Sequence, residues 1–167
     1  DEDEAGLVSV PPYHIAGISA VVSSVFTGRR IAYLDAFSPS GWLDAVANQS
    51  VTHAMVVPTM LGRVLDELDA RTAAGAAGIP SLRHLSYGGG RMPVDVIERA
   101  VATLPAVDFV NAYGLTETSS TISILTPGDH RDALASNDES VRARLENLVS
   151  AAKSSGAEAV MLTCSSI

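Results

Sequence analysis

The sequence is short of cysteine and of positive charge, and each shortage excludes a class of protein. Cys164 is the single cysteine, so no disulfide can form within the chain, and a reducing compartment is indicated. Lys and Arg number 11 against 19 Asp and Glu, which gives a formal net charge of −8. A nucleic-acid-binding protein would normally carry a basic patch, and an anionic membrane surface would repel this charge. We therefore expect no nucleic acid or membrane partner.

The amino terminus also lacks the features of an export signal. It opens Asp1-Glu-Asp-Glu4, the opposite of a basic start, and no apolar run reaches the length that spans a bilayer. We therefore expect a cytoplasmic protein. The chain does not start with Met, so we also expect it to begin inside a longer protein. Its 167 residues are 47% hydrophobic and 18% charged, which is typical of a globular domain with its own core.

Strand-like and helix-like segments alternate along most of the chain. Short apolar runs predict strands at residues 7–10, 30–34, 53–57, 83–87, 107–110 and 121–125. Between them, apolar residues at three- and four-residue spacing predict helices. This alternation implies crossover connections and a mostly parallel sheet with flanking helices, so the predicted fold class is α/β.

Capping residues and apolar stripes predict where each helix begins and which face it buries. Gly28 is placed to end a helix at 15–26, and Ser38 followed by proline is placed to start the next. Thr59 is predicted to cap the third helix, and a fourth is predicted at 94–104. The residues expected to face the core are Trp42, Leu43, Val46 and Ala47 in the second helix and Met60, Leu61, Val64, Leu65 and Leu68 in the third.

A run of three glycines follows the strand predicted at 83–87. In parallel sheets ligands bind beyond the carboxyl ends of the strands, so this position is of functional interest. Gly88-Gly-Gly90 removes three β-carbons, which lets the backbone approach a flat ligand closely or adopt positive φ. The alternative reading of the same residues is a loose turn without a ligand.

A second unusual segment, Asn111-Ala-Tyr-Gly-Leu-Thr-Glu117, follows the strand predicted at 107–110. Tyr113 can stack on a nucleobase, and Thr116 can donate a hydrogen bond to a phosphate oxygen. Glu117 can hold Mg²⁺, which prefers one or two carboxylates together with substrate phosphates. The alternative is a solvated polar loop with a partly buried tyrosine, and spacing alone does not decide between the two.

Tyr113-Gly-Leu-Thr-Glu117 resembles the Tyr-Gly-x-Thr-Glu signature of the adenylate-forming superfamily, which includes acyl-CoA synthetases, luciferases and nonribosomal peptide adenylation domains. Three more segments are similar to motifs of that family, in the same order: Pro11-Pro-Tyr-His-Ile-Ala-Gly17, Val56-Val-Pro-Thr59 and Leu82-Arg-His-Leu-Ser-Tyr-Gly-Gly-Gly-Arg-Met-Pro93. The resemblance covers residues 7–145. It implies that the chain is part of the large N-terminal α/β domain of such an enzyme.

The resemblance also implies an activity and a set of site residues. The implied reaction joins a carboxylic acid, fatty or otherwise apolar, to AMP from ATP and then transfers the acyl group to CoA. The implied nucleotide-binding residues are Gly88, Gly89, Gly90, Asn111, Ala112, Tyr113, Gly114 and Thr116. The implied catalytic residues are Thr116, Glu117 as the Mg²⁺ ligand, and His14 beside the acyl carboxylate and the pantetheine tunnel.

Several parts of the family pattern are missing from this chain. It has no Ser/Thr/Gly-rich phosphate loop ending in Lys, no ribose-binding Thr-Gly-Asp and no small C-terminal domain with its catalytic lysine. We therefore expect that the chain cannot adenylate a substrate alone. The alternative function is a non-catalytic fragment that retains a pocket for an adenine nucleotide or an acyl group. Core faces and sheet edges exposed by the missing parts predict self-association.

The tail after Leu145 departs from the family, so we divide the chain into a partial AMP-binding domain at 1–145 and a tail of uncertain origin at 146–167. A helix beginning near Asp138 is predicted, followed by a strand that ends at Cys164. This run is similar to a cysteine-containing segment of aspartate/glutamate and hydantoin racemases. A racemase would need a second active-site cysteine, which the chain does not have, and a buried structural cysteine is the alternative.

Overall fold

The computed structural model describes residues 3–76, 78–118 and 120–130, and these contain one six-stranded sheet. The strands are β1 (Ala5–Val8), β2 (Arg30–Tyr33), β3 (His53–Val56), β4 (His84–Gly88), β5 (Asp108–Leu115) and β6 (Ser120–Leu125). The helices are α1 (Ile15–Thr27), α2 (Pro39–Asn48), α3 (Pro58–Ala73) and α4 (Val94–Thr103). The predicted alternation is confirmed, and the fold class is α/β.

The strand order is β2-β1-β3-β4-β5-β6, so the chain reverses direction across the sheet after β2. Strands β1 to β5 are parallel, and β6 pairs antiparallel with β5 at one edge. Between β1 and β3 the connections leave in opposite directions, which opens a crevice at the carboxyl ends of these two strands. Such reversal points are the usual ligand-binding positions of open α/β sheets.

The core lies on one face of the sheet, under α2, α3 and α4. Trp42 and Leu43 of α2 are fully buried, as are Leu61, Val64 and Leu65 of α3. No residue of α1 belongs to this core cluster, because α1 packs against β1 and β2 on the other face. Among the helices of the described residues, three therefore cover the first face and only α1 covers the second.

Two of the predicted helix boundaries are confirmed by their capping geometry. Gly28 ends α1 in the left-handed conformation at φ 70°, where a residue without a β-carbon is favoured. The Ser38 side chain accepts a hydrogen bond from the Gly41 amide at 3.0 Å, with Pro39 in the first turn of α2. Local chemistry alone is enough to set both ends.

Two details of the helices differ from the prediction. Thr59 does not cap α3, because Pro58 occupies the first turn and Val57 is the capping residue, without a side-chain hydrogen bond. Ala47 is exposed, and Ala45 is buried in its place. The predicted stripe of α3 is confirmed, because Leu61, Val64, Leu65 and Leu68 are all buried and Met60 packs beside them.

Strand β5 is longer than the predicted strand at 107–110. It continues to Leu115 because β6 supplies an antiparallel partner that pairs Asn111 with Leu125 and Leu115 with Ser120. Residues 111–115, for which a solvated loop was one of the two alternatives, are thus part of a strand. The helix and strand predicted beyond residue 130, and Cys164, lie outside the described residues. In the part of the chain that the structure describes, no helix is long and apolar enough to cross a membrane.

Candidate functional site

A cavity of about 630 Å³ lies at the carboxyl ends of β1, β3, β4 and β5. Its walls come from four separate stretches of the sequence that the parallel sheet brings to one edge. The lining residues are Val10, His14, Ile15, Ala16, Val57, Gly89, Gly90, Arg91, Ala112, Tyr113, Gly114, Leu115, Thr116 and Glu117. Both segments singled out from the sequence therefore face the same space.

The glycine run forms one wall, and two of its three glycines are required by the backbone. A β-carbon on Gly88 would stand 2.3 Å from the carbonyl oxygen of Ala112, so no side chain fits between β4 and β5 there. Gly89 has a φ of 76°, a conformation that L side chains rarely adopt. Gly90 has no such constraint, since its nearest neighbours are ordinary contacts with Pro58. The run is therefore a specific close-packed turn rather than a loose one.

The opposite wall is the end of β5 and the turn that follows it. The ladder between β5 and β6 is irregular between Tyr113 and Gly114, where the register shifts. Bulges of this kind change the direction of side chains next to a binding site. A 3-10 turn, Thr116–Thr118, then holds Thr116 and Glu117, both exposed, at the mouth of the cavity.

His14 reaches the cavity from the start of α1. The amide of His14 donates to the carbonyl of Pro11 at 3.0 Å, which closes a turn between β1 and the helix. His14 is the capping residue of α1, its ring lies 5.0 Å from the ring of Tyr13, and its side chain is exposed. Ile15 and Ala16 put the first amides of α1 beside the same space, which gives this wall a partial positive charge.

The charged lining residues are Arg91 and Glu117, and His14 is titratable. A guanidinium can neutralise phosphate oxygens, and one carboxylate beside a hydroxyl is the donor set with which Mg²⁺ binds substrate phosphates. Within residues 3–76, 78–118 and 120–130, no three His, Cys, Asp or Glu side chains are grouped to hold a metal by themselves. A magnesium site here would thus rest on Glu117 together with phosphate oxygens, which fits the chemistry of that ion.

Asn111 and Gly88 do not line the cavity but lie directly behind its walls. Asn111 is buried with Tyr87, its partner in the β4–β5 ladder, and the two side chains share a hydrogen bond. The phenol oxygen of Tyr87 also lies 3.0 Å from Nε2 of His130. No pattern in the sequence pairs Tyr87 with His130, since 43 positions separate them.

His53 and His84 stack at the opposite end of the sheet, with ring centroids 4.5 Å apart. They are the first residues of β3 and β4, and their register in the ladder makes them neighbours. Burial, reinforced by Arg29, lowers the pKa of His53 to about 4, so this ring is neutral near pH 7. The pair lies far along the strands from the cavity and belongs to a different cleft.

The structure brings Gly89, Gly90, Ala112, Tyr113, Gly114, Thr116, Glu117 and His14 together around one cavity. Sequence reasoning did not single out Arg91, although it directly follows the glycines, nor the apolar lining residues Val10, Ile15, Ala16 and Val57. The apolar ones follow strands in the same way as the predicted residues do. Their position at a strand end was the signal that could have found them.

The chain is similar in sequence to known enzymes over most of its length. The model of the family described as AMP-binding enzyme matches residues 1–142. A 2-succinylbenzoate–CoA ligase of Bacillus licheniformis is 35% identical over 127 residues, covering 75% of this chain and 24% of the relative. A fatty acid–[acyl-carrier-protein] ligase, ScoC, of Streptomyces coeruleorubidus is 31% identical over 127 residues, covering 76% of this chain and 24% of the relative.

A solved structure shows the same arrangement of elements. O-succinylbenzoate coenzyme A synthetase from Bacillus subtilis, in complex with ATP and magnesium ion, superimposes with a TM-score of 0.66 at 30% identity. The match covers 77% of this chain and 25% of that protein. The chain thus spans about a quarter of the length of the relatives that it matches. By its family match and its fold, the chain belongs to the AMP-binding enzyme family.

Proposed function

We propose that the chain is part of an ATP-dependent carboxylic acid–CoA ligase. The observation that carries the proposal is the convergence of the Gly89–Gly90 turn, the Tyr113–Glu117 segment and His14 on one cavity. These segments follow three different strands. If each had only a packing role, nothing would require all three to line the same cavity. The names of the relatives, which are acid–thiol ligases, support the same class of reaction.

In this proposal Tyr113 stacks on adenine, with Ala112 and Gly114 along the adenine edge, and Asn111 supports this wall from behind. Gly89 and Gly90, with Gly88 directly behind them, give a flat wall, because a wall without β-carbons admits a ring closely. Thr116 donates a hydrogen bond to the phosphate of AMP. Glu117 holds Mg²⁺, which neutralises charge on the phosphates when it is bound.

The proposed reaction has two steps. A carboxylate oxygen attacks the α-phosphorus of ATP and forms an acyl–phosphate bond, while pyrophosphate leaves. The CoA thiolate then attacks the acyl carbon, the thioester forms and AMP leaves. Both reactants of the first step are anionic, so holding them in line and neutralising their charge supply most of the catalysis. Arg91 and the first turn of α1 provide positive charge in the described part of the site.

The substrate that fits the described lining is an apolar carboxylic acid. Val10, Ile15, Ala16 and Val57 give the cavity an apolar floor near His14, which we place beside the acyl carboxylate and the pantetheine tunnel. CoA is the proposed acceptor of the acyl group. The alternative acceptor to test is the thiol of a carrier protein, since one relative is a ligase for an acyl carrier protein. A cytoplasmic location remains part of this proposal.

The coverage of the relatives favours a second candidate, a non-catalytic fragment that binds an adenine nucleotide or an acyl group. The chain spans 24% of the first relative, so we expect no adenylation by this chain alone. We keep the division into a partial AMP-binding domain at 1–145 and a separate tail at 146–167, which is supported by the end of the family match at residue 142. A racemase-like activity through Cys164 is not proposed, because the chain holds no second cysteine.

Two measurements on the 167-residue chain test these proposals. We expect AMP and an acyl-adenylate analogue to bind in calorimetry, and Tyr113→Ala to weaken binding by roughly 5- to 150-fold, which corresponds to a lost stacking energy of about 1–3 kcal/mol. Tyr33→Ala, an exposed tyrosine of β2 outside the cavity, is the matched control and should leave binding unchanged. No binding by the unaltered chain would overturn the site.

The second measurement is ATP–pyrophosphate exchange. We expect none above a Glu117→Ala control, because the chain spans a quarter of its relatives. Exchange by the unaltered chain that Glu117→Ala abolishes would show a complete catalytic site and refute the fragment interpretation. Binding without exchange supports the proposal that this chain holds part of a ligase site.

A further inference from the structure

A buried polar cluster formed by Asn111, Tyr87 and His130 lies immediately behind the candidate site. All three side chains are nearly inaccessible, with exposed fractions of 3%, 2% and 5%. Buried polar groups cost free energy unless their hydrogen bonds are made, so such a cluster has to hold a defined geometry. It sits on the helix-covered face of the sheet, next to Leu85 and Phe109 of the core.

The hydrogen bond between Tyr87 and His130 joins two groups that are uncharged near pH 7. Burial raises the pKa of Tyr87 to about 12, and the hydrogen bond from Asn111 opposes this rise only in part, so the phenol keeps its proton near pH 7. Burial lowers the pKa of His130, so its ring is neutral. The phenol oxygen and Nε2 of His130 form a hydrogen bond of 3.0 Å. The phenol O–H donates when the neutral ring carries its proton on Nδ1, and Nε2–H donates when the proton is on Nε2.

Each member of the cluster is tied to a different part of the site. Tyr87 directly precedes Gly88, and Asn111 directly precedes Ala112, and both pairs are opposite each other in the β4–β5 ladder. Gly88 already meets the Ala112 carbonyl with no room for a side chain. The two cavity walls thus begin one residue beyond the Tyr87–Asn111 contact.

His130 ties a third stretch of chain to the same point. Thr126 and Asp129 form a reciprocal cap at the start of a helical turn at 127–130, with the Thr126 hydroxyl donating to Oδ2 of Asp129 at 2.7 Å. The amide of His130 donates to the Thr126 carbonyl at 2.9 Å. This capped turn follows β6 directly and delivers the ring of His130 to the phenol of Tyr87.

Beyond Ala112, β5 pairs with β6 and no longer with β4. Ile122 and Ile124 of β6 are exposed, and α1 contacts β6 only in part. A two-stranded extension is marginally stable by itself, so its orientation depends on how its base is held. We propose that Tyr87 and His130 are positioning residues, whose buried hydrogen bond fixes the base of the β5–β6 hairpin so that Tyr113, Thr116 and Glu117 face the Gly89–Gly90 turn. The effect of this hydrogen bond on nucleotide binding rests on the proposed function, whereas its effect on the hairpin does not.

The test uses the 167-residue chain with Tyr87→Phe, His130→Leu and His130→Gln. Hydrogen exchange by mass spectrometry reports the protection of 111–125 and, as an internal reference, of α3. We expect the first two variants to speed exchange across 111–125 and to leave α3 unchanged. We also expect AMP to bind about 5- to 30-fold more weakly, as for the loss of one buried hydrogen bond. In His130→Gln the side-chain amide can replace Nε2, so protection and affinity should return to within about twofold of the unaltered chain.

Tyr33→Phe removes an exposed phenol far from the cluster and serves as the control. The proposal is overturned if exchange across 111–125 does not change in Tyr87→Phe, if α3 loses protection to the same extent, or if His130→Gln behaves like His130→Leu. If the unaltered chain binds no AMP, the proposed function fails. The hydrogen-exchange measurements then decide the role of the cluster by themselves. Local loss of protection with rescue by glutamine supports the cluster in either case.

Discussion

At the scale of single residues, Gly88 fits tightly against the backbone of β5. Gly89 and Gly90 differ from it, since a β-carbon on either would meet only side chains at 3.5 Å or more. Backbone cannot move aside as a flexible side chain can. A substitution at Gly88 should therefore act on the β4–β5 ladder itself.

We expect Gly88→Ala to lower the free energy of unfolding by about 1–3 kcal/mol, because its β-carbon would stand 2.3 Å from the Ala112 oxygen and force the strands apart. Urea denaturation followed by circular dichroism measures this. Gly62→Ala is the matched control, since nothing lies within 4 Å of a β-carbon there and α3 should gain about 0.4–1 kcal/mol. Equal stability of Gly88→Ala and the unaltered chain would contradict the packing described.

At the scale of elements, the capping residue stabilises the start of α2 more than it stabilises the start of α3. Ser38 caps α2 with its side chain and Pro39 occupies the first turn. In α3 the proline is also in the first turn, but the capping position falls on Val57, which has no side-chain acceptor. The stability of α3 therefore depends more on its buried stripe and on the ion pairs of Arg71 and Arg99, which join it to its neighbours.

We expect Ser38→Ala to destabilise the chain by about 1 kcal/mol, because the Gly41 amide loses its acceptor at 3.0 Å. Ser40→Ala provides the control, since Ser40 is exposed in the same helix and its backbone carbonyl, which accepts from Arg71, is retained. Thermal unfolding of both variants, compared at equal protein concentration, separates the cap from a general effect of losing a hydroxyl. A loss in Ser40→Ala as large as in Ser38→Ala would contradict the role of the cap.

At the scale of the whole molecule, the two faces of the sheet differ in their cover. One face is closed by α2, α3 and α4, whereas α1 carries an outward apolar stripe on the other. Val22, Val25 and Phe26 of this stripe are exposed by 58%, 69% and 90%. A helix that is apolar on its outer side is typical of one that packs against further protein.

We expect the 167-residue chain to self-associate through this stripe, and the double variant Val22→Lys with Phe26→Lys to shift it towards monomer. Sedimentation velocity over a range of concentrations measures the effect. Ala70→Lys with Ala102→Lys adds the same charge at exposed positions of α3 and α4 without removing apolar surface, and should associate like the unaltered chain. A chain that stays monomeric throughout, or two double variants that behave alike, would refute this.

The sequence by itself determined the alternation of strands and helices, the ends at Gly28 and Ser38, and the two segments at the strand ends. These depend on residues close together in the chain, because caps, turns and apolar periodicity act over a few positions. The buried stripe of α3 was predictable for the same reason. Family motifs are short and contiguous, so they too could be recognised without a structure.

Only the tertiary structure decided the features that join distant positions. The extension of β5 to Leu115 depends on pairing with β6, and the Tyr87–His130 hydrogen bond joins residues 43 positions apart. The parallel register brings His53 beside His84, although the two residues begin different strands. Strand pairing and burial set these contacts, and both are properties of the packed chain that no local pattern encodes.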